Sequence, residues 1–241
     1  MDTPATKWKL KDAAIVTISM ILLIVGLNYA LLMLNFARIF EKMTNKSLVT
    51  SGLFIVQELL FVLPLYFFVV RKYEVKAREL GFKRVGWTEI AKCVFAGFAM
   101  LFAFNFLLVL ISSRIPFVIP GFEPQESHVP LFGGTQLDIA LAVVVLVFIA
   151  PVVEELLFRG FLLQTFLAKF KPWIASLLTA TFFALVHLEL ESAGMIIFLA
   201  LILNWMFMRT RSIWPGIVFH MFNNAVAFAV ELLVWSGYLQ V

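Results

Sequence analysis

One cysteine, Cys93, is all that 241 residues offer, so the chain has neither a disulfide framework nor a cysteine-built metal site, and its redox compartment stays open. Charge is scarce as well. Only 14% of the residues are charged, with a net +4, and the lysines and arginines fall between apolar runs instead of forming a basic face. Nucleic acid is thereby removed from the expected partners. Histidine occurs three times, no His-Glu-x-x-His zinc signature is present, and neither an internal repeat nor a low-complexity tract interrupts the chain. What fills it instead is hydrocarbon: 62% of the residues are hydrophobic and the mean hydropathy is +0.98, well outside the soluble range.

The apolar residues fall into seven runs, at about 13–37, 50–70, 89–113, 137–168, 173–188, 193–208 and 214–236. Crossing a ~30 Å hydrocarbon layer takes about 20 residues of helix. Open sheet cannot satisfy its backbone in lipid, and the runs lack the short alternation of a barrel. The expected fold is therefore all-α, a polytopic transmembrane bundle read as a single domain over 1–241. The fourth run would reach roughly 50 Å as one helix, and Pro151 is expected to divide it, giving seven to eight membrane segments.

The segment Met1–Lys11 carries three lysines but leads into a run too long for a cleaved signal peptide, so that run is read as the first retained span. The basic loop at 71–87 predicts a cytoplasmic face and the base-poor loop at 114–136 an external one, which places the N-terminus in the cytoplasm. Arg38, Lys42 and Lys46 oppose that assignment. Trp173, Trp214 and Trp235 lie where interfacial aromatics belong.

Polar residues inside the apolar runs are functional suspects by default, because one charge at mid-bilayer costs about 2.5–3.5 kcal/mol on insertion scales. Glu154, Glu155 and Arg159 occupy one such run. On an α-helix Glu155 and Arg159 are four apart with the acid first, the favourable order for an ion pair, while Glu154 points about 100° away. That pair alone could be helix packing; Glu154 is the acid suited to general-base chemistry. His187 closes the run Phe183-Ala-Leu-Val-His187, and His220 shares a helical face with Asn224 in His220-Met-Phe-Asn-Asn224. A lone buried histidine is most often a packing residue. Three spans that each carry one polar face are more economically explained by convergence on one another or on a wet cavity. His128 is assigned to solvent. Glu58 could be structural, face a cavity, contact the catalytic group or snorkel. Asn28, Asn105 and Asn204 are expected to make interhelical hydrogen bonds of about 0.6 kcal/mol each.

Glu154-Glu155-x-x-x-Arg159, then Phe183-x-x-x-His187, then His220-x-x-x-Asn224, in this order on separate apolar helices, resembles the motif set of the CPBP family, the CAAX-protease and bacteriocin-processing (Abi-like) intramembrane peptidases. The flanking Pro151, Phe158-Arg159-Gly160 and Arg211-Ser-Ile-Trp-Pro215 fit the same pattern, so the resemblance covers about 137–228, the expected catalytic core. Before Arg114 only Leu80-Gly-Phe82 matches. The resemblance implies that Glu154 and His187 hold and activate a water, that His220 and Asn224 stabilise the oxyanion, and that Glu155 and Arg159 orient their helix.

It also leaves two chemistries open. In a metallopeptidase, Glu154, His187 and His220 would ligate zinc with an open fourth position. In a glutamate peptidase no cofactor is needed, and Asn224, a poor zinc ligand but a good oxyanion donor, favours that form. The implied partners are membrane lipid and a peptide or membrane-anchored protein substrate. By analogy a prokaryotic cell-membrane member would act on a peptide, a bacteriocin precursor or a signalling protein. A non-enzymatic immunity or scaffold protein and a proton-coupled transporter are the competing classes. The latter usually shows broken helices in both halves, and here only one run holds a proline break.

Overall fold

The structure is a computed structural model that describes residues 6–114, 120–122 and 127–239. Each apolar run is a helix: α1 Leu10–Met33, α2 Lys46–Arg71, α3 Trp87–Ser112, α4 Gln136–Leu167, α5 Pro172–His187, α6 Ala193–Thr210 and α7 Trp214–Trp235. Six are long and apolar enough to cross a membrane, and α5, with 16 residues, is shorter. The described residues contain no strand. The chain is an all-α, polytopic integral membrane protein.

Local chemistry sets the helix ends. Thr135 and Asp138 form a reciprocal capping box at the start of α4, the Asp138 amide donating to Thr135 Oγ1 at 3.3 Å and the Thr135 amide to Asp138 Oδ2 at 3.0 Å. Pro172 opens α5 in the first turn, where its missing N–H has no intrahelical partner to lose. Leu188 and Arg211 close α5 and α6 in the left-handed region, with φ of 57° and 54°.

Pro151 does not divide the fourth run. It lies in the first turn of the α-helical stretch Ala150–Glu155, directly after a π-helical stretch, Val143–Ile149. The wider i→i+5 register changes back to α at that junction, and the proline falls where an i→i+4 bond is already forgone. A second π-helical stretch, Leu156–Leu163, follows the two acids immediately. Such turns frequently mark functional sites.

Internal contacts divide the chain into two compact units, Met1–Thr6 with Ala77–Glu126 and Phe158–His220, and Lys7–Lys76 with Ser127–Leu157 and Met221–Val241. In the first, Cys93, Leu101, Ile202, Leu203, Met206 and Phe219 form the core. Gly97 on α3 lets that core close: a Cβ there would lie 2.5 Å from Met206 Cε and 2.8 Å from the Phe219 ring. The methionine tip can swing away but the ring is wedged, so Gly97→Ala is expected to destabilise by about 1–3 kcal/mol. Thermal unfolding in detergent checks this, and an unchanged midpoint contradicts it. The turn Leu80-Gly-Phe82 is pinned to the start of α7. Gly81 adopts φ +88°, and its carbonyl accepts from the Ile213 amide at 3.0 Å. Any side chain there would strike Phe207 at 2.9 Å, so glycine is demanded twice over.

In the second unit Val129, Phe132, Ala142 and Phe228 form the core, with Phe54 stacked on Phe132. Asp12 is fully buried and accepts from Lys72 Nζ at 2.9 Å and Tyr73 Oη at 3.0 Å, which fastens the start of α1 to the end of α2. Two of the asparagines depart from expectation. Asn28 and Asn105 donate to Ile24 and Leu101, the carbonyls four residues back in their own helices. A short amide side chain reaches that carbonyl without needing a partner helix.

Candidate active site

α5 explains the spacing Phe183-x-x-x-His187 directly. Four residues bring the two side chains onto one face, with 4.7 Å between ring centroids, and the His187 Nδ1 lies 2.7 Å from the Phe183 carbonyl oxygen. A carbonyl only accepts, so this bond places the proton on Nδ1. In a neutral imidazole, Nε2 then carries the lone pair. The ring of Phe183 is buried and also meets His220, centroid to centroid at 6.0 Å. The two intramembrane histidines, 33 residues apart by their numbers, 220 against 187, thus share one aromatic wall within the first unit.

Arg159 fixes that wall. Its guanidinium stands 4.6 Å from the centre of the Phe183 ring, donates through Nε to Asn204 Oδ1 at 3.1 Å and through Nη2 to the Ala200 carbonyl at 3.1 Å. Asn204 in turn donates to the Ser176 carbonyl at 2.9 Å, and Phe158 packs edge-on against Phe183 at 4.9 Å. Arg159 and Asn204 have no exposed surface. A planar cation that both donates in its plane and stacks on a ring suits such a place. Asn204 does make the interhelical bonds expected of it. Its place as the acceptor for Arg159 is not legible in sequence, where only an amide in an apolar helix hints at it.

The acids lie in the second unit. Glu155 is fully buried and Glu154 half-buried at the end of the Ala150–Glu155 stretch. Asn224 donates from Nδ2 to the Leu146 carbonyl at 3.0 Å. Leu146 belongs to the π-helical stretch Val143–Ile149, whose altered register presents a carbonyl outside the i→i+4 ladder. An amide nitrogen has two protons, so the second remains for another acceptor. Glu58 on α2 is 6% exposed and does not snorkel. α2 packs on the Ala150–Glu155 stretch, which carries Glu154. The histidines are gathered in one unit, the acids and Asn224 in the other.

His128 is not simply solvated. Its backbone amide donates to Glu231 Oε2 at 2.8 Å and its Nδ1 stands 3.6 Å from Oε1. The sequence shows a loop histidine but not which helical acid the loop folds back upon. Among the described residues no group of three or more histidine, cysteine, aspartate or glutamate side chains is arranged to hold a metal ion.

Residues 136–226 match the family described as type II CAAX prenyl endopeptidase Rce1-like. The match begins with the first residue of α4 and takes in Glu154, Glu155, Arg159, His187, His220 and Asn224. Over that segment the chain is similar to CAAX-type membrane peptidases. A Bacillus subtilis (strain 168) protein described as "Putative membrane peptidase YdiL" is 21% identical over 130 residues, which are 54% of this chain and 53% of that protein. The chain thus spans about half the length of this curated relative. No solved structure matches. Within the matched segment lie His187, His220 and Arg159; Glu58 lies outside it.

Proposed function

We propose that this chain is an intramembrane endopeptidase that hydrolyses a peptide bond of a membrane-associated protein or peptide, with Glu154 and His187 activating the water. The observation that carries this reading is the ordered motif set inside a segment that matches a CAAX peptidase family. The Nδ1 bond of His187 supports it, because it leaves Nε2 for proton transfer. Water oxygen attacks the scissile carbonyl carbon as its proton passes to Glu154. The carbonyl π-electrons move to oxygen, and His220 and Asn224 donate to the oxyanion. Collapse of the tetrahedral species breaks the C–N bond, and the proton goes to the departing amine. Every step is carried by side chains of this chain, without a metal. The N-terminus lies in the cytoplasm and the membrane is that of a prokaryotic cell.

The test is cleavage by the protein reconstituted in vesicles, offered matched peptides with a prenylated cysteine, with an acyl anchor and with neither. His220→Ala and Asn224→Ala are expected to lower kcat by about 10²–10³ each, with KM little changed, as for removal of oxyanion donors. Full activity in both variants contradicts the assignment. A chelator arm separates the chemistries: an unchanged rate fits the metal-free reaction, whereas loss restored by zinc demands the metallopeptidase form.

A further inference from the structure

Arg38, Lys42 and Lys46 take no part in the proposed reaction, and they run against the charge bias that otherwise orients the chain. They follow the end of α1, whose 24 residues rise about 36 Å, the full depth of the hydrocarbon layer. That end therefore lies at a membrane–water boundary. Asn35, at φ 51°, turns the chain there into a short helix, Phe36–Glu41. Asparagine is among the few residues that adopt this left-handed conformation readily.

The turn leaves an apolar groove of about 340 Å³, lined by Leu31, Leu32, Asn35, Phe36, Ala37 and Phe40. Its volume falls in the range of sites that hold small apolar ligands. Phe36, Ala37 and Phe40 share one face of the short helix, with 5.9 Å between the two phenyl centroids. Arg38 and Lys42, four residues apart, lie on the opposite face. Lys46, the first residue of α2, reaches back over the groove wall, its Nζ 5.9 Å from the centre of the Phe40 ring. All three cations are exposed, and among the described residues none of them is ion-paired. An apolar groove at headgroup level, with uncompensated positive charge beside it, is complementary to an anion that carries a hydrocarbon chain.

We infer that the turn between α1 and α2 is a binding site for an anionic phospholipid: an acyl chain occupies the groove, the headgroup phosphate meets Lys46, and Arg38 and Lys42 strengthen the attraction. The site lies wholly within one compact unit and is independent of the peptidase reading. A zwitterionic phospholipid offers the same chain without net charge, and a free phosphate offers the charge without a chain. The anionic lipid satisfies both halves of the site, and added salt should weaken its binding because exposed charges are screened.

The test is native mass spectrometry of the full chain in neutral detergent, titrated with phosphatidylglycerol, with phosphatidylcholine of the same chains, or with glycerol 3-phosphate. A basic side chain near an anionic surface contributes about fivefold to binding, so the parent protein should prefer phosphatidylglycerol over phosphatidylcholine by on the order of a hundredfold. The combined Arg38→Gln, Lys42→Gln and Lys46→Gln variant should lose that preference, and Lys46→Gln alone should lose about fivefold of it. Ala37→Trp fills the groove and should weaken both lipids about tenfold or more, since each displaced methylene is worth about fourfold. Lys169→Gln with Lys171→Gln, which removes exposed charge elsewhere, should change neither. The four positions substituted at the site are exposed, so every variant should unfold at the parent's midpoint. Equal affinity of the parent for the two lipids, a preference that survives the triple variant, unchanged binding in Ala37→Trp, an equal loss in Lys169→Gln with Lys171→Gln, or glycerol 3-phosphate binding as tightly as the lipid would each overturn the inference.

Discussion

Glu154→Gln is expected to abolish cleavage while leaving the protein folded and inserted. The amide has the same shape and volume but cannot take a proton from water at neutral pH, so the loss falls on kcat. General-base catalysis is worth about 10²–10⁴-fold, so the variant should lie about two to four orders of magnitude below the parent. Half-burial of Glu154 argues that the substitution is tolerated structurally. The measurement is cleavage in vesicles alongside thermal unfolding, with full activity in a well-folded variant sinking the peptidase assignment. A cell phenotype that Glu154→Gln complements would instead favour a scaffold or immunity role, in which the motifs serve packing alone.

Arg159→Ala is expected to have the largest effect on stability. The guanidinium makes two charge-assisted bonds, to Asn204 and to the Ala200 carbonyl, and stacks on Phe183 with no solvent contact. Charge-assisted bonds contribute about 1.5–3 kcal/mol each, so a loss of roughly 3 kcal/mol or more is expected once both bonds are gone and Asn204 Oδ1 has lost this donor. Lysine should not restore it, because a single ammonium on a flexible stem cannot meet both acceptors and lie flat on the ring. Detergent unfolding of Arg159→Ala, Asn204→Ala and the double variant gives the coupling directly, expected at about 0.5–3 kcal/mol for residues in one network. Strict additivity would show that Arg159 does not act through Asn204. Because Phe183 contacts both His187 and His220, the variant should also lose activity beyond what its unfolded fraction explains.

Several expectations were readable residue by residue. The Phe183-x-x-x-His187 spacing became a hydrogen bond and a ring contact on one helical face, since i, i+4 geometry belongs to a single helix and needs no partner. Pro151 misled because the sequence shows the missing N–H but not the π register that accommodates it. Asn28 and Asn105 misled for a related reason: an amide in an apolar run must bond, but composition does not say whether to its own helix or another. His128 joined Glu231 across more than a hundred residues of sequence, a pairing no local pattern encodes.

By itself the sequence determined the helical class, the position of each apolar helix and the order of the motif residues. Those follow from local physics: hydrocarbon thickness sets the run length, lipid forces the backbone to satisfy itself within one segment, and each polar intrusion is visible where it stands. The tertiary structure alone decided that Arg159 answers to Asn204 and Phe183, that His187 and His220 meet one aromatic ring, and that Glu58 is buried. Such pairings depend on how helices rotate about their axes and which faces pack, and small changes of register, such as the π-helical stretches of α4, redirect a side chain without altering the composition that a sequence displays.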